Sequence, residues 1–327
     1  MSLGLVELSA YTYQYIVPKS TDVIFKNSPV LTRLQQKNME RFAGGLQIQR
    51  PIIVGELNGD AIGRGEAMNV DFVTTDSALV ENMKLYYVNI SLYGFDSILN
   101  DGDAAVFSQV ETKFANASMK MAKLLGTNMY LDGQSAGRTK QLNGMAEAVD
   151  DGNLFPTYGG INRADIQTVG TVGGLNAYTQ SGITSFTLSL LNTAYGNAWF
   201  GADHPDLIAA TQNGWNLIWS ALQPLQRYMP VQDSSDLGKA GFQVLQFNGS
   251  DVVIDKYLPT GANGVMYLLN TDYIEWYYST NPKFQYGFTG FKEVNSTIDV
   301  AGQFLVASNM VFANPRTSAK LLSSTLF

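Results

Sequence analysis

The sequence predicts an α+β subunit with an N-terminal arm, an extended two-stranded loop, one long spine helix and a mixed helix–sheet region. Three features carry that reading. Residues 46–93 hold two runs of period-two patterning around a glycine-rich tip. Residues 103–130 repeat apolar side chains at steps of three and four, over roughly 40 Å at helical rise. Residues 242–312 contain several β-rich runs separated by turn residues.

In residues 1–44, Tyr11, Tyr13 and Tyr15 share one side of a short extended run, and Ser28-Pro29 starts a helix over Val30 to Phe42 that Gly44-Gly45 ends. A segment this short and mixed forms no core alone, so it reads as an arm laid over other structure. In residues 45–93, Leu46, Ile48, Ile52 and Val54 alternate along the first limb, and Pro51 marks it as an edge strand because it lacks the N–H a central strand needs. The return limb, from about Ala78 to Tyr93, sets Val80, Tyr86, Val88, Ile90 and Leu92 on one face. Between the limbs, Gly59, Gly63 and Gly65 fall within seven residues and predict a mobile tip without a packed core. A lone two-stranded ribbon is marginal in water, so this one needs a neighbouring molecule. Ile48, Ile52, Gly59, Gly63, Arg64, Gly65 and Tyr86 are the candidate self-assembly contacts, with Arg64 the cationic donor at the tip.

Asn100, Asp101 and Asp103 supply cap oxygens and negative charge at the start of the spine helix. Val106, Phe107, Val110, Phe114, Ala117, Met121, Leu124 and Leu125 form its buried stripe, and Gly133 stops it. Residues 132–182 are loop-dense. Helices follow over 185–199 and 215–228, the second kinked near Pro224, with a buried strand at Leu207 to Thr211 between them. Strands are expected at 242–247, 252–254 and 265–269, a helical turn at Tyr273 to Tyr278, an extended stretch at 284–294 and a final strand at 301–312. Residues 94–185 and 295–327 then form a peripheral unit on the spine helix, and 186–294 an axial unit.

Composition bounds the function. Hydrophobic residues make up 45% of the 327, enough for real cores, whereas charged residues reach 15%, below the usual quarter, which suits contact with other protein surfaces. Twenty-one basic against 28 acidic residues, net −7, with no basic run, argue against a dedicated nucleic-acid binder. There is no cysteine and one histidine, His204, so thiolate chemistry, histidine-pair metal sites and serine triads are all excluded or unsupported, and no cofactor is expected. No apolar stretch approaches a membrane span and no secretory leader is present, so the chain is expected to be made soluble in the cytoplasm. Asp101 and Asp103 read as helix caps rather than a calcium loop, Asp150-Asp151 and Asp203 with Asp206 as loop acids, and Trp215 with Trp219 as core packing at helical spacing.

The order of these parts, together with Tyr158-Gly159-Gly160-Ile161-Asn162-Arg163, Pro205-Asp206-Leu207-Ile208-Ala209-Ala210-Thr211 leading into Trp215, and Leu222-Gln223-Pro224-Leu225-Gln226-Arg227-Tyr228, resembles the major capsid proteins of tailed bacteriophages, which share the Hong Kong 97 capsid fold. The resemblance spans nearly the whole chain. It implies a structural, non-enzymatic subunit that joins itself in hexamers and pentamers to close an icosahedral shell around double-stranded DNA, with scaffolding, portal and decoration proteins as further partners and no membrane. It implies a virion location after assembly in the host bacterial cytoplasm. Some members cross-link the extended loop through lysine, whereas here the tip and flanks offer Arg50 and Arg64 and no lysine before Lys84, which argues against a covalent link. Some members carry a cleaved scaffolding segment, and the early start of the arm points to a separate scaffold or prior processing. An encapsulin-like nanocompartment shell is the alternative within this fold, and a carboxylate-dependent hydrolase using Asp203 and Asp206 the alternative outside it.

Overall fold

Ser28 caps the first helix among the described residues as its sequence directs: its Oγ accepts from the Leu31 N–H at 3.3 Å, and Pro29 opens helix α1, Pro29–Lys37. These positions come from a computed structural model that describes residues 28–53, 55, 57–72, 75–93, 103–166, 175–223, 244–294 and 299–327. The tyrosine run at 11–15, the caps at Asn100 and Asp101, and the Pro224 kink lie outside the described residues. The α1 helix is shorter than the pattern predicts. Asn38 ends it by donating its side-chain amide to the Thr271 carbonyl, and Met39–Phe42 become strand β1, parallel to the strand Ile274–Ser279. A free sheet edge overrides the helical preference of this stretch. Val30, Leu31 and Leu34 are buried in the same core as the spine helix, so residues 28–42 belong to the subunit's own body.

Two strands form the ribbon, β2 at Ile48–Ile53 and β3 at Asp76–Glu81, antiparallel from Ile48 opposite Glu81 to Ile53 opposite Asp76. The chain then breaks at Asn82-Met83 and re-enters the body as β4, Lys84–Leu92. The return limb is therefore two strands in two sheets: β4 pairs with β15, Val300–Phe312, along nine residues. The long helix α2, Asp103–Asn128, agrees with the expected spine. Its Val110, Phe114, Ala117, Met121 and Leu125 are buried, and Phe114 meets Phe288 edge-on at 4.9 Å and Phe304 at 6.5 Å beneath it.

Between α2 and the second sheet come the short helix α3, Met145–Ala148, the two-residue strands β5 and β6, Thr157–Tyr158 and Ile161–Asn162, and strand β7, Tyr178–Gln180. Helix α4, Leu188–Ala198, is capped by Thr187, and α5, Gln212–Leu222, by Thr211. They flank β8, Leu207–Ala210, whose four residues are all buried as the apolar run predicts. Strands β9, Val244–Phe247, β10, Ser250–Ile254, and β11, Val265–Leu269, match three expected strands. The stretch Tyr273 to Tyr278 is a strand and not a helical turn: β12, Ile274–Ser279, buries Ile274, Trp276 and Tyr278 at period two. Short strands β13, Gly287–Phe288, and β14, Lys292–Glu293, lie in the expected extended stretch. Beyond β15 the chain makes one more strand, β16, Ala319–Leu322.

These strands form two six-stranded sheets. The first runs β1-β12-β15-β13, with β4 and β14 also on β15, and carries α2. The second runs β7-β16-β11-β8-β10-β9, with α4 and α5 packed on a separate apolar cluster that includes Leu191, Ala194, Ile208, Ile218, Met266 and Leu321. Residues 274–293, expected with the axial unit, thus pair in the spine-helix sheet, and Ala319–Leu322 cross into the axial one.

Candidate functional site

The ribbon is held at its root and bare at its tip. At the root, Ile48 and Leu79 are buried, and the Val80 N–H donates to the Gly159 carbonyl at 2.8 Å. Gly159 has φ +55°, and a Cβ there would sit 2.7 Å from the Leu79 side chain, so glycine is what lets the β5–β6 hairpin press against β3. Arg50 reaches Glu275 at 2.9 Å on the other limb. Beyond Ile53 this support stops. Every residue from 57 to 72 is exposed. Leu57 is 77%, Val70 79% and Phe72 105% exposed, with Ile62 and Met68 also open to solvent. The tip's own bonds are small local ties: the Gly63 N–H donates to Glu66 at 2.6 Å, and the Asn58 amide to the Asp71 carbonyl at 3.3 Å. Residues 57–72 form no strand, and apolar side chains exposed together in this way are the kind of patch that marks interaction surfaces.

The predicted contact residues separate accordingly. Gly59, Gly63, Arg64 and Gly65 lie on the exposed tip, Gly65 at φ +90°. Ile52 is half-buried against the main core and Ile48 is inside it. Tyr86 belongs to β4 and is buried, its hydroxyl accepting from Asn128 Nδ2 at 3.1 Å and the Leu142 N–H at 2.8 Å, so its side chain ties the strand to the end of α2 within one copy. The row Met68, Val70, Phe72 was missed, although its alternation with Asn69 and Asp71 is a period-two signal in the sequence.

Two carboxyls lie under the root. Glu81 ends β3 and Glu147 sits in α3, both buried. Burial pushes each up to about 7; the negative charge of Glu147 adds to the effect on Glu81, while the Gly133 N–H, 2.8 Å from Glu147 Oε2, opposes it there.

The remaining acids are structural ties. Asp206 takes Lys37 Nζ at 2.9 Å, Arg33 at 3.3 Å and both the N–H and hydroxyl of Thr271 at 2.7 and 2.6 Å. Burial alone would raise it, but these donors hold it below the usual carboxylate range. Asp203 accepts from the Tyr273 hydroxyl at 2.7 Å. Asp150 is fully buried, paired with Lys320 at 2.6 Å and bonded by the N–H groups of Gly152 and Phe155. Asp151 accepts from the N–H and the side-chain amide of Asn153 at 3.1 and 2.7 Å within its loop. His204 packs by Tyr195 and Trp199, its Nδ1 3.1 Å from the Tyr195 hydroxyl. Trp215 stacks on Trp219 at 5.4 Å and packs on the second core, whereas Trp219 is exposed rather than in the core. Among the described residues no group of three His, Cys, Asp or Glu could hold a metal ion, and no helix is long and apolar enough to cross a membrane.

No protein-family model and no curated protein matches the chain. Solved structures do. The capsid asymmetric unit of cyanophage A-1(L) is similar with a TM-score of 0.60 at 15% identity, over 94% of this chain and 93% of that one. The capsid of a native GTA particle gives 0.57 at 7% identity over 91% and 90%. The SrpI encapsulin complex of Synechococcus elongatus gives 0.54 at 11% identity over 91% and 89%. With both sheets, the spine helix and the projecting ribbon in one chain, and near-complete coverage in each comparison, the chain has the Hong Kong 97-like capsid fold.

Proposed function

We propose that the chain is a non-enzymatic shell subunit whose activity is self-association, and that copies of it join as hexamers and pentamers into a closed icosahedral phage capsid around double-stranded DNA. The observation that carries this is the wholly exposed tip at 57–72 with five large apolar side chains. Covering those side chains is worth on the order of 10 kcal/mol gross per copy, and each copy brings the same grip, so a closed array recovers many times what one contact yields after association and ordering costs. The sparse charge supports close packing of identical copies, and the acidic balance keeps the inner wall from adhering to packaged DNA. The subunit is made in the host bacterial cytoplasm and ends in the virion, where scaffolding, portal and decoration proteins are its further partners.

Negative-stain imaging with light scattering on the purified full chain tests this. Hollow particles of uniform diameter are expected, and a species that stays monomeric at every concentration and salt condition would refute it. Nucleic acid inside particles recovered from the native source separates a phage capsid from the encapsulin-like nanocompartment, which would hold protein.

A further inference from the structure

Arg316 follows the last strand of the spine-helix sheet and is 8% exposed. Its guanidinium lies over the Phe200 ring at 3.6 Å from the centroid. Among the described residues it makes no ion pair and no hydrogen bond. The other buried cations are all served: Lys320 pairs with Asp150 at 2.6 Å, and Arg163 donates to the carbonyls of Phe155 and Asp150 at 3.0 and 3.2 Å. Its guanidinium faces an open cleft with no side-chain anion bonded to it among the described residues, which leaves its donors available to an anion that arrives from outside. Burial also lowers its proton affinity, in the direction an unpaired cation shows.

The guanidinium opens onto a cleft of about 550 Å³ at the ribbon root, whose wall includes Ile52, Ile53, Phe200, Tyr273 and Ala313. Arg50, Asp76 and Arg316 also line the cleft; Arg50 is taken by Glu275 at 2.9 Å and Asp76 is exposed, so Arg316 is the lining cation without an ion pair among the described residues, and together with the apolar wall it fits a short segment that carries a carboxylate beside a large apolar side chain. The ribbon tip holds one. Of its acids, Asp60 is bonded to the Ala61 N–H and Glu66 to the Gly63 N–H. The Asp71 carboxylate has no partner among the described residues, and it stands between Val70 and Phe72, the two most exposed apolar residues of the tip.

We propose that the cleft receives residues 70–72 of a neighbouring copy's ribbon, with the Asp71 carboxylate on Arg316 and an apolar neighbour of Asp71 against Phe200. This rests on the shell reading above and gives its contact an address. Each copy then offers a tip and a cleft, a head-to-tail contact that closes into rings.

The test uses the full chain in four forms: wild type, Asp71→Asn, Arg316→Gln, and the charge exchange Asp71→Arg with Arg316→Asp. Circular dichroism of the dissociated subunit reports folding, and the concentration giving half-maximal shell yield reports assembly. Asp71→Asn lies on an exposed tip and leaves the fold unchanged. It is expected to raise that concentration ~10-fold or more, as Arg316→Gln does, and the exchange is expected to recover most of the loss. Wild-type shells with unchanged assembly of Asp71→Asn would overturn this contact while leaving the shell function intact. Loss with Arg316→Gln alone would also overturn it, since another anion, such as a nucleic-acid phosphate, then serves Arg316. A wild-type chain that never assembles would overturn the shell function and this contact together.

Discussion

Replacing residues 57–72 with a Gly-Ser-Gly linker is expected to abolish closed shells and leave a folded subunit. The replaced residues are all exposed, and their bonds in the described structure stay within the tip, so the body loses no support. The remaining limbs keep the pairing from Ile48 with Glu81 to Ile53 with Asp76, closed by a short loop. What disappears is Leu57, Ile62, Met68, Val70 and Phe72, each worth ~1.5–3 kcal/mol when fully covered. Shell yield is expected to fall more than 100-fold by electron microscopy and sedimentation, with thermal unfolding of the dissociated subunit shifted by less than ~3 °C. Shells of normal number and size from this variant would remove the ribbon from the assembly mechanism.

Acid is expected to stabilise the dissociated subunit, and Glu147→Gln to remove much of that dependence. Glu81 and Glu147 are raised from 4.5 to about 7 by burial, so the folded chain binds their protons more tightly than the unfolded chain does. Their contribution is complete below about pH 4.5 and is lost as pH rises through about 7. At pH 8 both must ionise within the fold, at a cost of ~3 kcal/mol for one such group, with the two coupled because their charges repel. The carboxylates held low, Asp150 and Asp206, act below their ordinary value of 3.8 and do not oppose this trend above pH 5. Urea unfolding at pH 5 and pH 8 is expected to show the wild type weaker at pH 8 by a few kcal/mol, and Glu147→Gln, which keeps an acceptor for the Gly133 N–H, stronger than wild type there. A wild type more stable at pH 8 than at pH 5, with Glu147→Gln no better, would show that the two carboxyls ionise freely.

The spine helix was legible because its apolar stripe runs from Val106 to Leu125 within a helix of 26 residues, far longer than chance alignment sustains. The buried strand at Leu207–Ala210 was legible from its fencing by turn residues. The return limb misled because alternation cannot report a change of face. Leu79 and Glu81 point inward in β3, whereas Tyr86 and Ile90 do so in β4, and the two residues Asn82-Met83 shift the parity between them. Met39–Phe42 followed helical preference in the pattern and sheet pairing in the fold, since the edge of β12 offers hydrogen bonds no local signal records. The site was half legible. The glycines of the tip announce a projecting loop, but Arg316 meets Phe200 and Glu81 faces Glu147 across long sequence separations, and such meetings exist only after the chain has folded.

Amide hydrogen exchange across residues 57–72, compared between intact shells and dissociated subunits, tests most directly whether a neighbouring copy covers the ribbon. In the free subunit these amides are expected to exchange at nearly unprotected rates, and in the shell at least ~100-fold more slowly. Slow exchange through the tip of a verified monomer would contradict this, because the ribbon would then draw its protection from its own chain.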